Sequence, residues 1–398
     1  MSAQSFAERY RNLAGLVQPR PATADTDDGW PLPRGGRLRE LDGLRYGEHE
    51  QLFDDDLVLD AYERLCVTSP TPVERYLFLD TETTGLAGGT GTFAFLIGLG
   101  RFTPDGFHVR QLLMRHPGDE LGVLAALERE LDESTTLVTY NGRSFDMPLI
   151  ETRFRLHHRR PGPYQSHLDL LPQARAVWKH RLPSCALGAI EAEVLGITRD
   201  LDVPGWLIPG IYFDYLRSRA AHTLDPILSH NRHDIVSLAC IASQISAYLD
   251  GGHDPEHAID RCAVLLYRLR TRRDEAALQA ALSGWQARMV PATLRASLLR
   301  EASTALKRQR RYSDAEPIWR AGLGDSSRAI RAYCAEELAK HLEHRARDLD
   351  QALALVRQAA DAARLAQDDD LARAFEHRAR RLERKLAPAR TSAHKEWL

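Results

Sequence analysis

The feature that most constrains the fold of this 398-residue chain is a change in hydrophobic pattern near residue 250. Before it, short apolar runs typical of buried strands, such as Tyr76-Leu77-Phe78-Leu79, form a meander and then alternate with stretches of helical spacing. After the break at Gly251-Gly252-His253-Asp254-Pro255, apolar residues recur only at helical spacing, as far as about Leu386. The pattern predicts an α/β domain with a mixed central sheet flanked by helices, followed by an all-α domain.

These breaks divide the chain into three regions. Residues 1–70 are predicted to be an N-terminal extension, partly irregular because the stretch from Gln18 to Arg37 is rich in proline and glycine. The α/β domain is predicted at residues 71–250 and the helical domain at residues 255–388.

The helical domain contains a faint internal repeat. Ala315 and Ala352 hold equivalent places in two similar segments, 37 residues apart. This spacing resembles that of tetratricopeptide repeats, whose unit is about 34 residues. Because stacked helical repeats commonly recruit proteins, the domain is a candidate surface for a protein partner. An unrelated helical bundle is the alternative.

Charge and composition narrow the class of protein. The net charge of −2 shows no basic excess. It is the sum of −9 for residues 1–250 and +7 for residues 251–398. Because the second half is basic, the net charge does not argue against a nucleic-acid partner. A hydrophobic fraction of 43% and a charged fraction of 27% exclude a mainly disordered, fibrous or integral-membrane protein. Five scattered cysteines and a start unlike a signal peptide predict a reduced, cytoplasmic protein without a membrane partner.

The first of three acidic segments is Leu79-Asp80-Thr81-Glu82-Thr83-Thr84-Gly85-Leu86, at the end of the first buried strand. Alternate residues of a strand point to the same face, so Asp80 and Glu82 are expected to project together. Two adjacent carboxylates repel each other and raise each other's proton affinity. Divalent cations between them would explain the arrangement.

The second and third segments each place an aspartate on a helix. In Asn141-Gly142-Arg143-Ser144-Phe145-Asp146, a strand ends and Asp146 falls in the first turn of the next helix, where it could also simply complement the helix dipole. In Ser229-His230-Asn231-Arg232-His233-Asp234, the residues His230 and Asp234 are four apart and share a helix face, with His233 about a quarter-turn away. For Asp234 alone, a surface carboxylate is the alternative.

Together, LDTETTGL, NGRSFDMPLI and HNRHDIVSL resemble the three motifs of the DEDD superfamily of 3′–5′ exonucleases, which have the ribonuclease H-like fold. The match is to the YprB-like branch, which carries a C-terminal helical-repeat region. The resemblance is strong from about Arg75 to Leu249 and weak in the helical tail. The resemblance implies four acidic catalytic residues that are also the metal ligands: Asp80, Glu82, Asp146 and Asp234.

The chain departs from the family at the general base. DEDD enzymes place a histidine five residues before the last aspartate or a tyrosine four before it. Here Ser229 is five before Asp234, and His230 stands at the tyrosine position. Because His230 shares the helix face of Asp234, it is predicted to be the catalytic base, with His233 as the alternative. A structural histidine in an inactive domain is the other alternative.

A site made of carboxylates selects hard cations, so the expected cofactor is Mg²⁺ or Mn²⁺, with two ions clamping the scissile phosphate. Further residues beside the motifs are candidates for substrate binding, although core or turn roles fit them equally: Thr83, Leu86, Asn141 and Phe145. Asp169 could support the site from behind or cap a helix.

The sequence thus predicts a metal-dependent 3′–5′ exonuclease acting on single strands or 3′ ends, with DNA favoured over RNA. The resemblance further implies a role in DNA repair beside a partner such as a helicase. Two alternatives stay open: a metal-dependent endonuclease on the same fold, and a non-catalytic scaffold that grips nucleic acid while its helical domain recruits proteins.

Overall fold

In a computed structural model, the chain divides into two compact units, Met1–Gly252 and His253–Leu398. The structure describes residues 28–54, 60–63, 65–66, 72–85, 91–133, 136–199, 202–248, 257–271, 275–286 and 290–393. Leu86, a candidate substrate-binding residue, lies outside these described residues.

The first unit is organised around a seven-stranded mixed sheet in the order β1-β2-β5-β4-β3-β6-β7. The central strand β3 pairs antiparallel with β4 and parallel with β6, and β7 is parallel to β6, while the pairs among β1, β2, β5 and β4 are antiparallel. The strands are β1 (Arg37–Leu41), β2 (Leu44–Phe53), β3 (Tyr76–Thr83), β4 (Ala94–Thr103), β5 (Gly106–Leu113), β6 (Thr136–Thr139) and β7 (Ser166–Asp169).

Helices flank this sheet, so the predicted mixed sheet with flanking helices is confirmed. They are α1 (Glu120–Glu133), α2 (Asp146–Leu156), α3 (Leu170–Trp178), α4 (Leu187–Ile190, continued by a π-helical turn at Glu191–Leu195), α5 (Ile208–Ser218) and α6 (Asp225–Ala247). The apolar run of β3 is buried in the sheet centre. Helix α6 packs on β3, β4 and β5. Gly98 of β4 makes this close approach possible, because a Cβ there would collide with the Asn231 amide of α6.

The hairpin β1–β2 was not predicted, because it lies in the segment assigned to the N-terminal extension. Asp42 and Gly43, both with positive φ, form its two-residue turn. The pattern was missed because Glu48 occupies a buried position in β2, which breaks the expected apolar alternation. Its carboxylate is compensated by Arg39 and by Arg110, whose Nη2 lies 2.6 Å from Glu48 Oε1. The extension therefore contributes two strands to this sheet.

The second unit is helical in its described residues, as predicted. Its helices are α7 (Ala258–Thr271), α8 (Glu275–Gly284), α9 (Ala292–Arg308), α10 (Tyr312–Gly322), α11 (Arg328–His341), α12 (Leu349–Leu365) and α13 (Asp369–Ala393). Ala315 and Ala352, which define the repeat register, are both fully buried, and α10 packs on α11 as α12 packs on α13. Within the described parts of both units, no helix has the length and apolar character that crossing a bilayer requires.

Candidate metal centre

Strand β3 and helix α6 bring three of the predicted acidic residues together. Glu82 and Asp234 are buried, and both interact electrostatically with Asp80. The ladder between β3 and β4 shifts register between Glu82 and Thr83, an irregularity of the kind that redirects side chains at a strand end. Glu82, His230 and Asp234 each offer a donor atom, and these atoms lie within 4.8 Å of one another.

Asp146, the fourth predicted acidic residue, reaches the same place from the first turn of α2. Asn141 turns the chain there, with a φ of 67°. The Thr81 hydroxyl donates a hydrogen bond to Asp146 Oδ1 over 2.5 Å. Asp146 also interacts electrostatically with both Asp80 and Glu82. The structure thus gathers four carboxylates from three elements, and we call Asp80, Glu82, Asp146 and Asp234 the carboxylate cluster.

The cluster carries more negative charge than its protein neighbours compensate. Loss of hydration and repulsion from the other carboxylates raise the pKa of Asp80 and the pKa of Glu82 well above the usual range, and loss of hydration also raises the pKa of Asp146. Oxygen donors in this arrangement fit a hard divalent cation such as Mg²⁺ or Mn²⁺, which would supply the missing positive charge.

His230 faces the carboxylate cluster with one ring nitrogen and contacts a further carboxylate with the other. Its Nε2 lies 3.5 Å from Asp234 Oδ2 and 3.9 Å from Glu82 Oε1. Its Nδ1 lies 2.5 Å from Asp202 Oδ1. For His233, burial and the neighbouring Arg199 and Arg232 lower the pKa to about 4. Of the two candidate histidines, His230 is the one whose ring nitrogen is close to the carboxylates Glu82 and Asp234.

Asn231, which follows His230 on α6, fixes the side chain of Asp80. Its Nδ2 donates to Asp80 Oδ2 over 3.1 Å. Its Oδ1 accepts from Gln111 Nε2 over 2.9 Å, and the same nitrogen donates to Leu228 O. Because both Asn231 and Gln111 are buried, these hydrogen bonds fix the orientation of the Asn231 amide. The Asn231 amide in turn fixes the orientation of the Asp80 carboxylate.

Sequence analysis missed the residues that the segment after α4 brings to the site. The π-helical turn ends at Gly196, and the chain then supplies Arg199 and Asp202. Arg199 pairs with Asp234 and with Glu191, a buried residue of the π-helical turn. No motif marks this segment, and its only signal was a group of three charges, Arg199, Asp200 and Asp202, between Gly196 and Pro204.

Two of the other candidate residues lie beside the cluster. Phe145 precedes Asp146 and has 61% of its surface exposed. Thr83, the last residue of β3, donates its hydroxyl proton to Gly85 O over 2.9 Å. These placements leave the Phe145 ring free to contact a ligand, whereas the Thr83 hydroxyl is committed to the turn.

Asp169 both caps a helix and supports the turn that precedes α2. Its carboxylate accepts from Leu171 N at the start of α3, over 3.1 Å. It also accepts from Asn141 N over 2.8 Å and from Arg143 N over 3.2 Å. The two roles that the sequence left as alternatives therefore coexist, and Asp169 holds the turn from which Asp146 extends.

Comparisons with known proteins agree with this architecture. Residues 77–246 match the model of the RNase H superfamily. The chain is also similar to the uncharacterized protein YprB of Bacillus subtilis (strain 168). The two are 34% identical over 298 residues, which span 73% of this chain and 71% of the relative.

Proposed function

Because this chain belongs to the RNase H superfamily, in the group that includes YprB of Bacillus subtilis, we propose that it is a metal-dependent 3′–5′ exonuclease. Membership indicates a nuclease-type function. The observation that carries the finer proposal is the carboxylate cluster, in which β3, α2 and α6 contribute four acids to one place. A scaffold that only grips nucleic acid has no need of four mutually repelling carboxylates, two of them buried.

We assign the metal ligands to the four residues of the carboxylate cluster, with Mg²⁺ or Mn²⁺ as the cofactor and two ions in the working site. When bound, the cations stabilise charge on the scissile phosphate and lower the pKa of the attacking water. Bound cations would lower the raised pKa values of Asp80 and Glu82, because positive charge favours the ionised carboxylate. Both carboxylates would then be ionised and able to act as ligands.

His230 is the general base of the proposal. Its Nε2 faces the cluster, where it can take a proton from the attacking water, and its Nδ1 is hydrogen-bonded to Asp202. Histidine is suited to this role because its ordinary pKa lies near neutrality.

The exposed ring of Phe145 suggests how the substrate is held. Aromatic side chains bind single strands by stacking on bases, which any base sequence allows. We therefore propose a single strand or 3′ end as the substrate, with DNA before RNA. Asn141 is assigned to the substrate backbone, and Leu86, like Phe145, to packing against a terminal base. Thr83 borders the same place and is the fourth residue assigned to substrate binding, although its hydroxyl is committed to the turn. Repair of DNA beside a helicase bound by the helical domain is the setting that the family resemblance implies.

The experiment that tests the proposal follows a single-stranded DNA labelled at its 5′ end, with Mg²⁺ or Mn²⁺, beside matched RNA and circular DNA. Stepwise shortening of the linear strand and an intact circle are the expected results. Cleavage of the circle would instead establish the endonuclease, and binding without cleavage would establish the scaffold. Asp80→Asn serves as the inactive control.

A further inference from the structure

We propose that Arg199 is a positioning residue of the metal centre, which holds Asp234 and the His230–Asp202 pair in their working orientations. The inference rests on the proposed function. It concerns a residue that no motif marks, in a segment that separates α4 from α5.

Among the described residues, Arg199 is the arginine that pairs with the carboxylate cluster, through Asp234. Its side chain is 9% exposed. Its Nη2 donates to Asp234 Oδ1 and, over 2.5 Å, to Glu191 Oε1. Its Nη1 lies 3.3 Å from Asp202 Oδ2. One planar fork thus joins three carboxylates in a fixed geometry, whereas the ammonium group of a lysine is a single point charge on a flexible stem.

Glu191 anchors this arrangement to the fold. It is buried, and its Oε1 also accepts from the Ser237 hydroxyl of α6 over 2.5 Å. Ser237 lies three residues after Asp234 on the same helix. The Arg199 guanidinium is therefore held between Glu191 and Asp234, and its geometry sets the distance between these two carboxylates.

The consequence for Asp234 is that its two oxygens have different partners. Oδ1 is occupied by Arg199, whereas Oδ2 faces His230 Nε2 at 3.5 Å. Asp234 is thereby presented as a ligand with one free oxygen. Asp202, steadied by the same guanidinium, holds His230 Nδ1 and directs Nε2 toward the cluster. One side chain thus aligns a metal ligand and the general base.

Positioning and charge compensation predict different results when Arg199 is replaced. If Arg199 acted through its charge alone, it would oppose metal binding, and its removal would not weaken the affinity for Mn²⁺. If Arg199 is a positioning residue, its removal lowers the rate, because a misplaced ligand or base costs about 100-fold in kcat. We expect Arg199→Met to lower kcat to that extent, with the KM for a single-stranded oligonucleotide within about twofold of the parent value.

The matched control is Arg115, a buried arginine with 0% exposed side chain that pairs with Asp119 at 2.7 Å and Asp28 at 2.8 Å. Arg115→Met also removes a buried guanidinium between two carboxylates and should lower the melting temperature, but with kcat unchanged. Electron paramagnetic resonance of bound Mn²⁺ gives a second readout that does not depend on turnover. Its spectrum should change in Arg199→Met and stay that of the wild type in Arg115→Met.

Two further variants keep the test decisive if Arg199→Met unfolds. The double variant Glu191→Gln with Arg199→Met removes both buried charges and should fold with the same low kcat. Arg199→Lys retains the charge without the fork and should recover little of the lost rate. A folded Arg199→Met or double variant with the kcat and Mn²⁺ spectrum of the wild type would overturn the proposal, as would full activity in Arg199→Lys. If the wild type itself cleaves nothing, the proposed function fails, while the Mn²⁺ spectra still decide the role of Arg199.

Discussion

The carboxylate cluster and the buried Glu343 differ in how their negative charge is compensated. In the α/β unit, the carboxylate cluster has four acids and Arg199 as the neighbouring guanidinium. In the helical unit, the side chain of Glu343 is 0% exposed and is surrounded by cations. Lys385 Nζ lies 2.6 Å and Arg378 Nη1 3.2 Å from its carboxylate, and Arg381 also pairs with it.

The two sites shift the pKa of a buried acid in opposite directions. Burial raises the pKa of Glu343, but hydrogen bonds from Lys385 and Arg381 outweigh it and hold that pKa below the ordinary value. The pKa of Asp80 and the pKa of Glu82 are instead raised well above theirs. Glu343 is compensated by several cations of the chain, whereas the four acids of the cluster share the Arg199 guanidinium, so that a cation from outside the chain would balance their remaining charge.

The largest expected effect comes from Asp80→Asn. Removing one ligand should lower cleavage of single-stranded DNA by roughly three orders of magnitude, because metal ions contribute several kcal/mol of transition-state stabilisation. The metal-free variant should unfold at a temperature no lower than the wild type, since a repelled carboxylate has been removed. Retained activity would show that the cluster is not the catalytic centre.

Glu343→Gln should show the opposite result. The variant should lose about 2 kcal/mol of unfolding free energy, because hydrogen bonds between charged groups are replaced by weaker ones. Its nuclease activity should equal that of the wild type. Urea denaturation and the oligonucleotide assay measure the two quantities on one preparation. A loss of activity without a loss of stability would place Glu343 among the functional residues and end the contrast between the sites.

The pH dependence of stability should distinguish the sites as well. A carboxylate whose folded pKa is raised stabilises the fold at low pH and ceases to do so as the pH rises through that value. Asp80 and Glu82 therefore predict that metal-free protein loses stability above the ordinary carboxyl pKa of about 4. Mn²⁺ should offset the loss, so the difference in melting temperature between Mn²⁺ and a chelator should grow from pH 5 to pH 8. A constant difference would contradict the prediction.

For Glu343 the sign is reversed. Because its folded pKa is lowered, its stabilising contribution is present above the ordinary carboxyl pKa and is lost as the pH falls through the lowered value. Comparing wild type with Glu343→Gln across an acid titration should show the two stabilities converging at low pH. Parallel curves would show that the cations around Glu343 do not set its ionisation.

The smallest expected effect is that of Arg381→Ala. The Arg381 side chain is 38% exposed, so solvent screens its pairing with Glu343, and the remaining cations still compensate the acid. The expected loss of unfolding free energy is about 0.5 kcal/mol. A loss as large as that of Glu343→Gln would mean that one arginine, and not the group of cations, holds the buried charge.

How much could be predicted from the sequence depends on how local the signal is. The run of β3 and the three acidic segments are local, so the sheet centre and the positions of Asp80 and Glu82 followed from strand periodicity. The hairpin β1–β2 was missed because Glu48 is buried through partners distant in sequence, such as Arg110. Periodicity cannot reveal a polar residue that is buried because a later strand supplies its cation.

The supporting residues of the site show the same limit. Arg199 and Asp234 are 35 residues apart, and neither this spacing nor the residue types around Arg199 predict the contact between them. Asn231 was visible inside the third segment, but its hydrogen bond to Asp80 depends on the packing of α6 against Gly98. Ligands that lie in motifs can be predicted, whereas the side chains that orient them become evident only once the elements are packed.

The most direct test of the central claim is a titration of the protein with Mn²⁺, followed by electron paramagnetic resonance, for three proteins side by side. We predict that wild type and Glu343→Gln bind Mn²⁺ alike and that Asp80→Asn loses this binding. Equal binding by all three proteins, or loss in Glu343→Gln alone, would contradict the assignment of the metal centre to the carboxylate cluster.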